Sequence, residues 1–258
     1  MPELVEVELS RRLAERLVGR QVASVQLHDL HACATDPGRF ASLEGATFTV
    51  ARRRGKRLLL DTDSATLGMH FGMTGRLVID GQPALERLLY SPAVLQPRWL
   101  RFALAMTDGG AVEFHDPRRL GRVSIDPDEA ALGPDAASVT LAELRSALLA
   151  RSRGIALKAR LLDQSRLAGV GNLIADEVLW RAALSPERPA ASLDDDELRR
   201  LHHEIRRTTS MLLRRGGSHA GDLMAARVPG GLCPRDGYPL ARSVIGGRTS
   251  FWCQAHQT

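Results

Sequence analysis

The chain opens Met1-Pro2-Glu3-Leu4-Val5-Glu6, so that removal of the initiator methionine would leave a secondary amine at its head. A terminal α-amino group titrates near about 7.7–8.0 and is partly unprotonated at neutral pH, a state that a lysine reaches only through burial. Such an amine can attack a carbonyl or a sugar carbon. Glu3 and Glu6 bring two carboxylates within one turn of it, as proton transfer to and from a reacting group requires. The same residues also suit a plain helix start, with proline in the first turn and carboxylates at the positive end of the dipole. Leu9, Leu13 and Leu17 recur every four residues and Gly19 follows them. The spacing therefore predicts a helix over residues 3–18 that carries these groups on either reading.

The elements that must position this chemistry belong to a chain of 258 residues, long enough for two compact domains or one large one, and its 44% hydrophobic content is that of a soluble globule. The 35 Lys+Arg against 30 Asp+Glu give a net charge of +5, and nearly all the cations are arginine, lysine occurring only at Lys56 and Lys158. Arginine grips phosphate bidentately. Its clustering at 52–57, 118–122 and 206–215 points to a polyanionic partner. No apolar stretch is long enough to span a bilayer, and the N-terminus is acidic where a signal peptide is basic, so a cytoplasmic protein is expected. Three cysteines, an odd number, do not make a disulfide framework, and Cys33 reads as a plain half-buried thiol.

Beyond the first helix come short runs rich in Val, Leu and Phe at 22–27, 46–50, 57–61, 77–79, 100–106 and 111–114, separated by turn signals such as Asp108-Gly109-Gly110. They predict a β-sandwich or barrel. Asp, Pro, Gly and Ala dominate from 126 to 135, as in a linker. Helical periodicity then takes over at 141–150, 155–162, 174–182 and 194–214, the last closed by Gly216-Gly217. The expected class is α+β: an N-terminal helix with a β-sandwich over 1–125, a linker over 126–140, a helical domain over 141–217 and a C-terminal hairpin over 218–258.

That tail holds Cys233-Pro234-Arg235-Asp236 and, sixteen residues on, Cys253-Gln254-Ala255-His256. Two ligand pairs at this spacing flank a stretch long enough for a β-hairpin, as in a zinc ribbon, although Asp and His replace two of the more usual sulfurs. A hairpin held by packing alone is the alternative. Gly246-Gly247-Arg248 would form a turn presenting an arginine, which on a metal-fixed tip becomes a phosphate clamp. Gly169-Val170-Gly171-Asn172 leads into Ala175-Asp176-Glu177, and backbone amides at such turns bind anions. Asn172 there serves either as a phosphate contact or as an N-cap.

Together these residues resemble the family of formamidopyrimidine-DNA glycosylase and endonuclease VIII, bifunctional enzymes of base-excision repair. The resemblance covers essentially the whole chain in the family's order: Pro2-Glu3-Leu4 with Glu6, Arg54-Gly55-Lys56, His70-Phe71-Gly72-Met73-Thr74-Gly75, Asp116-Pro117-Arg118-Arg119-Leu120-Gly121, Gly169 to Glu177, and Gly247-Arg248-Thr249. It implies that Pro2 attacks C1′ of a flipped nucleotide and forms an iminium that permits β,δ-elimination. Glu3 would protonate the sugar ring oxygen and Glu6 would hold water or shuttle protons. Lys56 would contact the phosphate near the lesion and assist elimination. His70, Lys158, Asn172 and Arg248 would pin phosphates, while Met73, Arg118 and Leu120 would fill the gap left by the extruded nucleotide. Cys233, Asp236, Cys253 and His256 would hold a structural Zn2+, with Asp236 and His256 standing where the family has cysteines.

Leu120 replaces a phenylalanine of the purine-directed branch, and the stretch 216–233 is short where that branch carries a long loop. Both features suggest the endonuclease VIII-like branch, acting on oxidised pyrimidines, abasic sites or unusual bulky lesions. The resemblance further implies a monomer on damaged double-stranded DNA in a basic cleft between two domains, a helix-two-turns-helix element, and association with the nucleoid. Two other outcomes stay open: a non-catalytic damaged-DNA-binding protein, and a monofunctional glycosylase in which water guided by Glu3 or Glu6 replaces the amine.

Overall fold

Helix α1, Leu4–Ala14, starts where Glu3 adopts an extended conformation and the carboxylates of Glu3 and Glu6 cap each other's backbone in a capping box, Glu6 Oε2 accepting from the Glu3 amide at 2.8 Å. The helix buries Leu4, Val5 and Val7, so its first turn is inside the protein on every side. It stops sooner than the leucine repeat suggests, since Glu15–Leu17 tighten into a 3-10 turn before Gly19. The computed structural model describes residues 2–85, 88–89, 92, 94–150 and 154–258. It divides into two compact units, Met1–Glu129 and Ala130–Thr258.

In the first unit the strands are β1 (Val22–Leu27), β2 (Phe48–Arg54), β3 (Arg57–Thr62), β4 (Thr66–His70), β5 (Arg76–Ile79), β6 (Gln82–Pro83), β7 (Leu100–Met106), β8 (Ala111–His115) and β9 (Arg122–Ile125). They form two antiparallel sheets, one ordered β1-β7-β8-β5-β6 and the other β2-β3-β4-β9. Phe40, Phe48, Leu58, Leu60, Met69, Phe102, Leu104 and Phe114 fill the core with Val7 and Ala14 of α1. Strand β4 escapes sequence pattern reading because Gly68 interrupts it. The glycine is required, since a Cβ there would lie 2.6 Å from Pro127 Cγ and 2.9 Å from Ser124 Oγ. Strand β9, four residues long, is too short to show a period.

The second unit contains α2 (Leu141–Leu149), α3 (Leu157–Leu162), α4 (Asn172–Ala182), α5 (Asp195–Arg214) and the hairpin β10 (Ala241–Ile245) with β11 (Arg248–Trp252). Capping boxes Thr140/Glu143 and Asp194/Glu197 open α2 and α5. Helix α4 is almost wholly buried, and its Trp180 joins Leu223, Cys233, Leu240, Phe251 and Cys253 in the core that seats the hairpin. Among the described residues no helix is long and apolar enough to cross a membrane.

Candidate active site

Pro2 is buried and shares a small pocket with Ser10, Phe71, Gly75 and Arg76. Glu3 and Glu6 are buried at 1% and 2% exposure. The capping box that starts α1 therefore also fixes two desolvated carboxylates within a turn of the Pro2 nitrogen. A buried carboxylate next to an amine is equipped to hand over or accept a proton in a site from which water is excluded. Arg76, unremarked in the sequence, stands buried on the same pocket, and desolvation holds its guanidinium below the ordinary arginine range. Its signal was present in the motif that ends at Gly75: the next residue is a cation inside an otherwise apolar strand.

Lys56 lies in the two-residue loop between β2 and β3, where Arg54 pairs with Arg57 and Gly55 has φ +57°. Glycine at the first central position is what a type II′ hairpin turn requires. The turn presents a half-buried Lys56 close enough to His70 for its charge to act on that ring. His70 ends β4, its backbone paired with Arg57 and Arg122. Although His70 as a residue is exposed at the end of β4, crowding of its ring by neighbouring atoms desolvates the imidazole, and this, then the charges of Lys56, Arg57 and Arg122, push its pKa down to about 4. Its Nδ1 faces the amide of Gly72 at 3.3 Å and can only accept there, so the single proton of the neutral ring sits on Nε2. His70 is thus a neutral N–H donor.

Met73, Arg118 and Leu120 stand on two loops that one buried carboxylate ties together. Asp116, 0% exposed, accepts from the Thr74 hydroxyl, from the Arg118 amide at 3.2 Å, from the Leu120 amide at 2.7 Å and from the Gly121 amide at 2.6 Å. The loops also touch directly: a Cβ on Gly72, whose φ is +57°, would lie 2.5 Å from the Leu120 carbonyl carbon. The result holds Leu120 in solvent at 44% exposure, with Arg118 exposed beside it. An apolar side chain projected by a rigid loop suits insertion into a base stack. Arg119 is diverted elsewhere, its guanidinium paired with Asp29 at 2.7 and 2.8 Å.

In the second unit, Arg248 is exposed at the tip of the β10–β11 hairpin, behind Gly246-Gly247 with φ +57° and +71°. Two positive-φ residues form the type I′ turn that matches strand twist. Asn172 is the first residue of α4 rather than its N-cap, which is Gly171, and its Nδ2 donates to Thr249 O at 3.1 Å. Lys158, expected to reach a phosphate, is wholly buried and engaged inside the unit.

Cys233, Asp236, Cys253 and His256 converge, with one ligand atom from each lying within 4.8 Å of the others. Both thiols point at Asp236 Oδ2, at 3.4 and 3.1 Å, and His256 Nδ1 meets the same oxygen. His256 Nε2 lies 3.2 Å from the Trp180 carbonyl, which can only accept, so the ring would keep its Nε2 proton and its orientation if a metal ion took the place of the proton that Nδ1 shares with Asp236. The Trp180 indole donates to Cys233 Sγ at 3.3 Å. Burial, then the Asp236 carboxylate, push the Cys253 thiol up to about 11. A divalent cation reverses that logic by ionising its thiol ligands. Two sulfurs, one carboxylate and one oriented imidazole fit a metal ion.

The formamidopyrimidine-DNA glycosylase N-terminal domain matches residues 1–123, and the H2TH domain of that glycosylase matches residues 131–222. The formamidopyrimidine-DNA glycosylase of Thermus thermophilus is 35% identical over 100% of this chain and 98% of its own length. That of Symbiobacterium thermophilum is 34% identical over 98% of this chain and 88% of its own. In structure, the chain resembles the Lactococcus lactis protein in complexes with FAPY-dG-containing DNA (TM-score 0.82, 24% identity, covering 99% of this chain and 100% of that one) and with abasic-site DNA (TM-score 0.82, 23% identity, covering 99% of each). These names favour the formamidopyrimidine branch. Leu120 and the short stretch 216–233, which suggested endonuclease VIII, are local features and do not outweigh similarity along the whole chain. The chain belongs to the formamidopyrimidine-DNA glycosylase family and is a DNA glycosylase of base-excision repair.

Proposed function

We propose that Pro2, freed of Met1, is the nucleophile of a bifunctional glycosylase and abasic-site lyase acting on duplex DNA. The observation that carries this reading is the burial of Glu3 and Glu6 within a turn of the Pro2 nitrogen. The nitrogen bonds to C1′ of the damaged nucleotide as the C1′–base bond breaks, and the base departs with the bonding pair and a proton. Glu3 protonates the sugar ring oxygen as the ring opens. A secondary amine then yields an iminium, whose positive charge is fixed without protonation. Loss of a C2′ proton expels the 3′-phosphate, loss of a further sugar proton expels the 5′-phosphate, and water releases Pro2. Glu6 carries protons in these steps, and Lys56 steadies the departing phosphate.

His70, Asn172 and Arg248 pin the strand, and Met73, Arg118 and Leu120 replace the extruded nucleotide in the stack. Zinc is the ion that the two-thiolate, carboxylate and imidazole set fits, with a structural role at the base of the hairpin. The protein works as a monomer in the cytoplasm, on the nucleoid. Ring-opened purines, for which the relatives are named, are the first substrate class. Oxidised pyrimidines are a second reading, favoured by Leu120 in place of the phenylalanine of the purine-directed branch and by the short stretch 216–233.

Incubation with duplexes carrying a formamidopyrimidine, an oxidised pyrimidine or an abasic site tests both levels. Base release with a single-nucleotide gap bearing phosphates at both ends is expected. Release without a nick at neutral pH identifies a monofunctional glycosylase, and tight binding without either product a damaged-DNA-binding protein.

A further inference from the structure

Lys158 on α3 has no exposed surface. It forms an ion pair with Asp176 Oδ1 on α4 at 2.6 Å and donates to Ser250 Oγ at 2.6 Å and to Thr249 O at 3.3 Å on β11. The second oxygen of Asp176 accepts from Arg227 at 2.7 and 3.1 Å and from the Phe251 amide at 3.3 Å. Thr249 O is held a second time, by Asn172 Nδ2 at 3.1 Å. Three consecutive residues of β11 are therefore tied to α3 and α4 by one buried network, and the residue immediately before them is Arg248. The hairpin tip rests on the same helix, since a Cβ on Gly246 would lie 3.2 Å from Ala159 Cα.

Removing a lysine and an aspartate from water is expensive, and an apolar pair of the same volume generally stabilises a core as well. What the charged pair adds is direction: an ammonium surrounded by three fixed acceptors admits one register and one height of β11. We propose that Lys158 is a positioning residue that acts on DNA through Arg248, with Asp176 as its counter-ion, and that it makes no phosphate contact of its own. The inference rests on the reading that Arg248 holds a phosphate.

The test is a double-mutant cycle on the full-length protein, reading affinity for a duplex with a tetrahydrofuran abasic analogue across a salt series. Lys158→Met leaves Asp176 paired with Arg227, so the fold should survive; if its melting temperature falls to the assay temperature, Lys158→Gln takes its place in the cycle. Arg248→Ala should weaken binding about tenfold and flatten the salt slope by about 0.9, as loss of one phosphate contact does. Lys158→Met alone should weaken binding by a similar factor, yet by less than about twofold when Arg248→Ala is already present. Equal losses in both backgrounds, or wild-type affinity in Lys158→Met, would overturn the proposal. If Arg248→Ala binds like the parent, the phosphate reading of Arg248 falls first and takes the inference with it.

Discussion

The Thr74 hydroxyl donates to the carboxylate of Asp116, and this contact joins the turn that carries Met73 to the loop that carries Arg118 and Leu120. The void filling proposed for those three side chains needs them in fixed relation before DNA arrives, because a wedge that must be ordered on binding loses affinity to that ordering. Asp116→Ala removes an acceptor serving four donors, and unfolding free energy should drop by about 3 kcal/mol, in the range of a broken buried hydrogen-bond network. Thr74→Val removes one donor and should lower it by about 1 kcal/mol. In both, excision from duplex DNA should slow more than cleavage at an abasic site in single-stranded DNA, where no stack needs a surrogate. Equal slowing on the two substrates would contradict the role.

His70 gives the protein a definite pH signature. Its folded pKa of about 4 lies below the ordinary 6.5, so the unfolded chain takes up the proton more readily. Stability from this group is complete above about pH 6.5 and is lost as pH falls toward 4. Denaturant midpoints at pH 7 and pH 5 should differ more in the parent than in His70→Gln. Identical differences would show that His70 titrates normally.

The Cys233, Asp236, Cys253 and His256 cluster should carry one zinc per chain. Elemental analysis of protein purified without added metal checks this, and cobalt substitution should give the visible absorption of a tetrahedral site with thiolate charge-transfer bands. Chelation should lower the melting temperature and weaken DNA binding through the hairpin. Metal well below one equivalent after zinc reconstitution would leave a hairpin held by packing.

Strands over residues 22–27 and 100–106 are legible because uninterrupted apolar and β-branched runs between turns have few other uses, and the helices because their caps are written beside them. Lys158 was not legible. A lysine in a helical pattern reads as solvated, and nothing local announces the carboxylate of Asp176, eighteen residues on, that neutralises it. Asp116 was visible within its motif, yet the motif does not say that its role is to hold backbone amides. The convergence of Cys233, Asp236, Cys253 and His256 was readable from spacing, since two pairs with two intervening residues at the ends of a hairpin are brought side by side by it.

The mechanism places a condition on the N-terminus. With Met1 retained, or with a residue inserted before Pro2, the nitrogen is an amide and cannot attack. Mass spectrometry should find Met1 absent from active protein, and an extended form should bind abasic DNA but not cut it. Cleavage by a protein whose chains all keep Met1 would contradict this.

Borohydride trapping on a duplex with a single abasic site tests the central claim most directly. The account predicts a stable protein–DNA adduct whose modified peptide, after digestion, begins at Pro2, and which disappears when that nitrogen is acylated. Strand cleavage with no trapped adduct, or an adduct on Lys56 or any other residue, would contradict it.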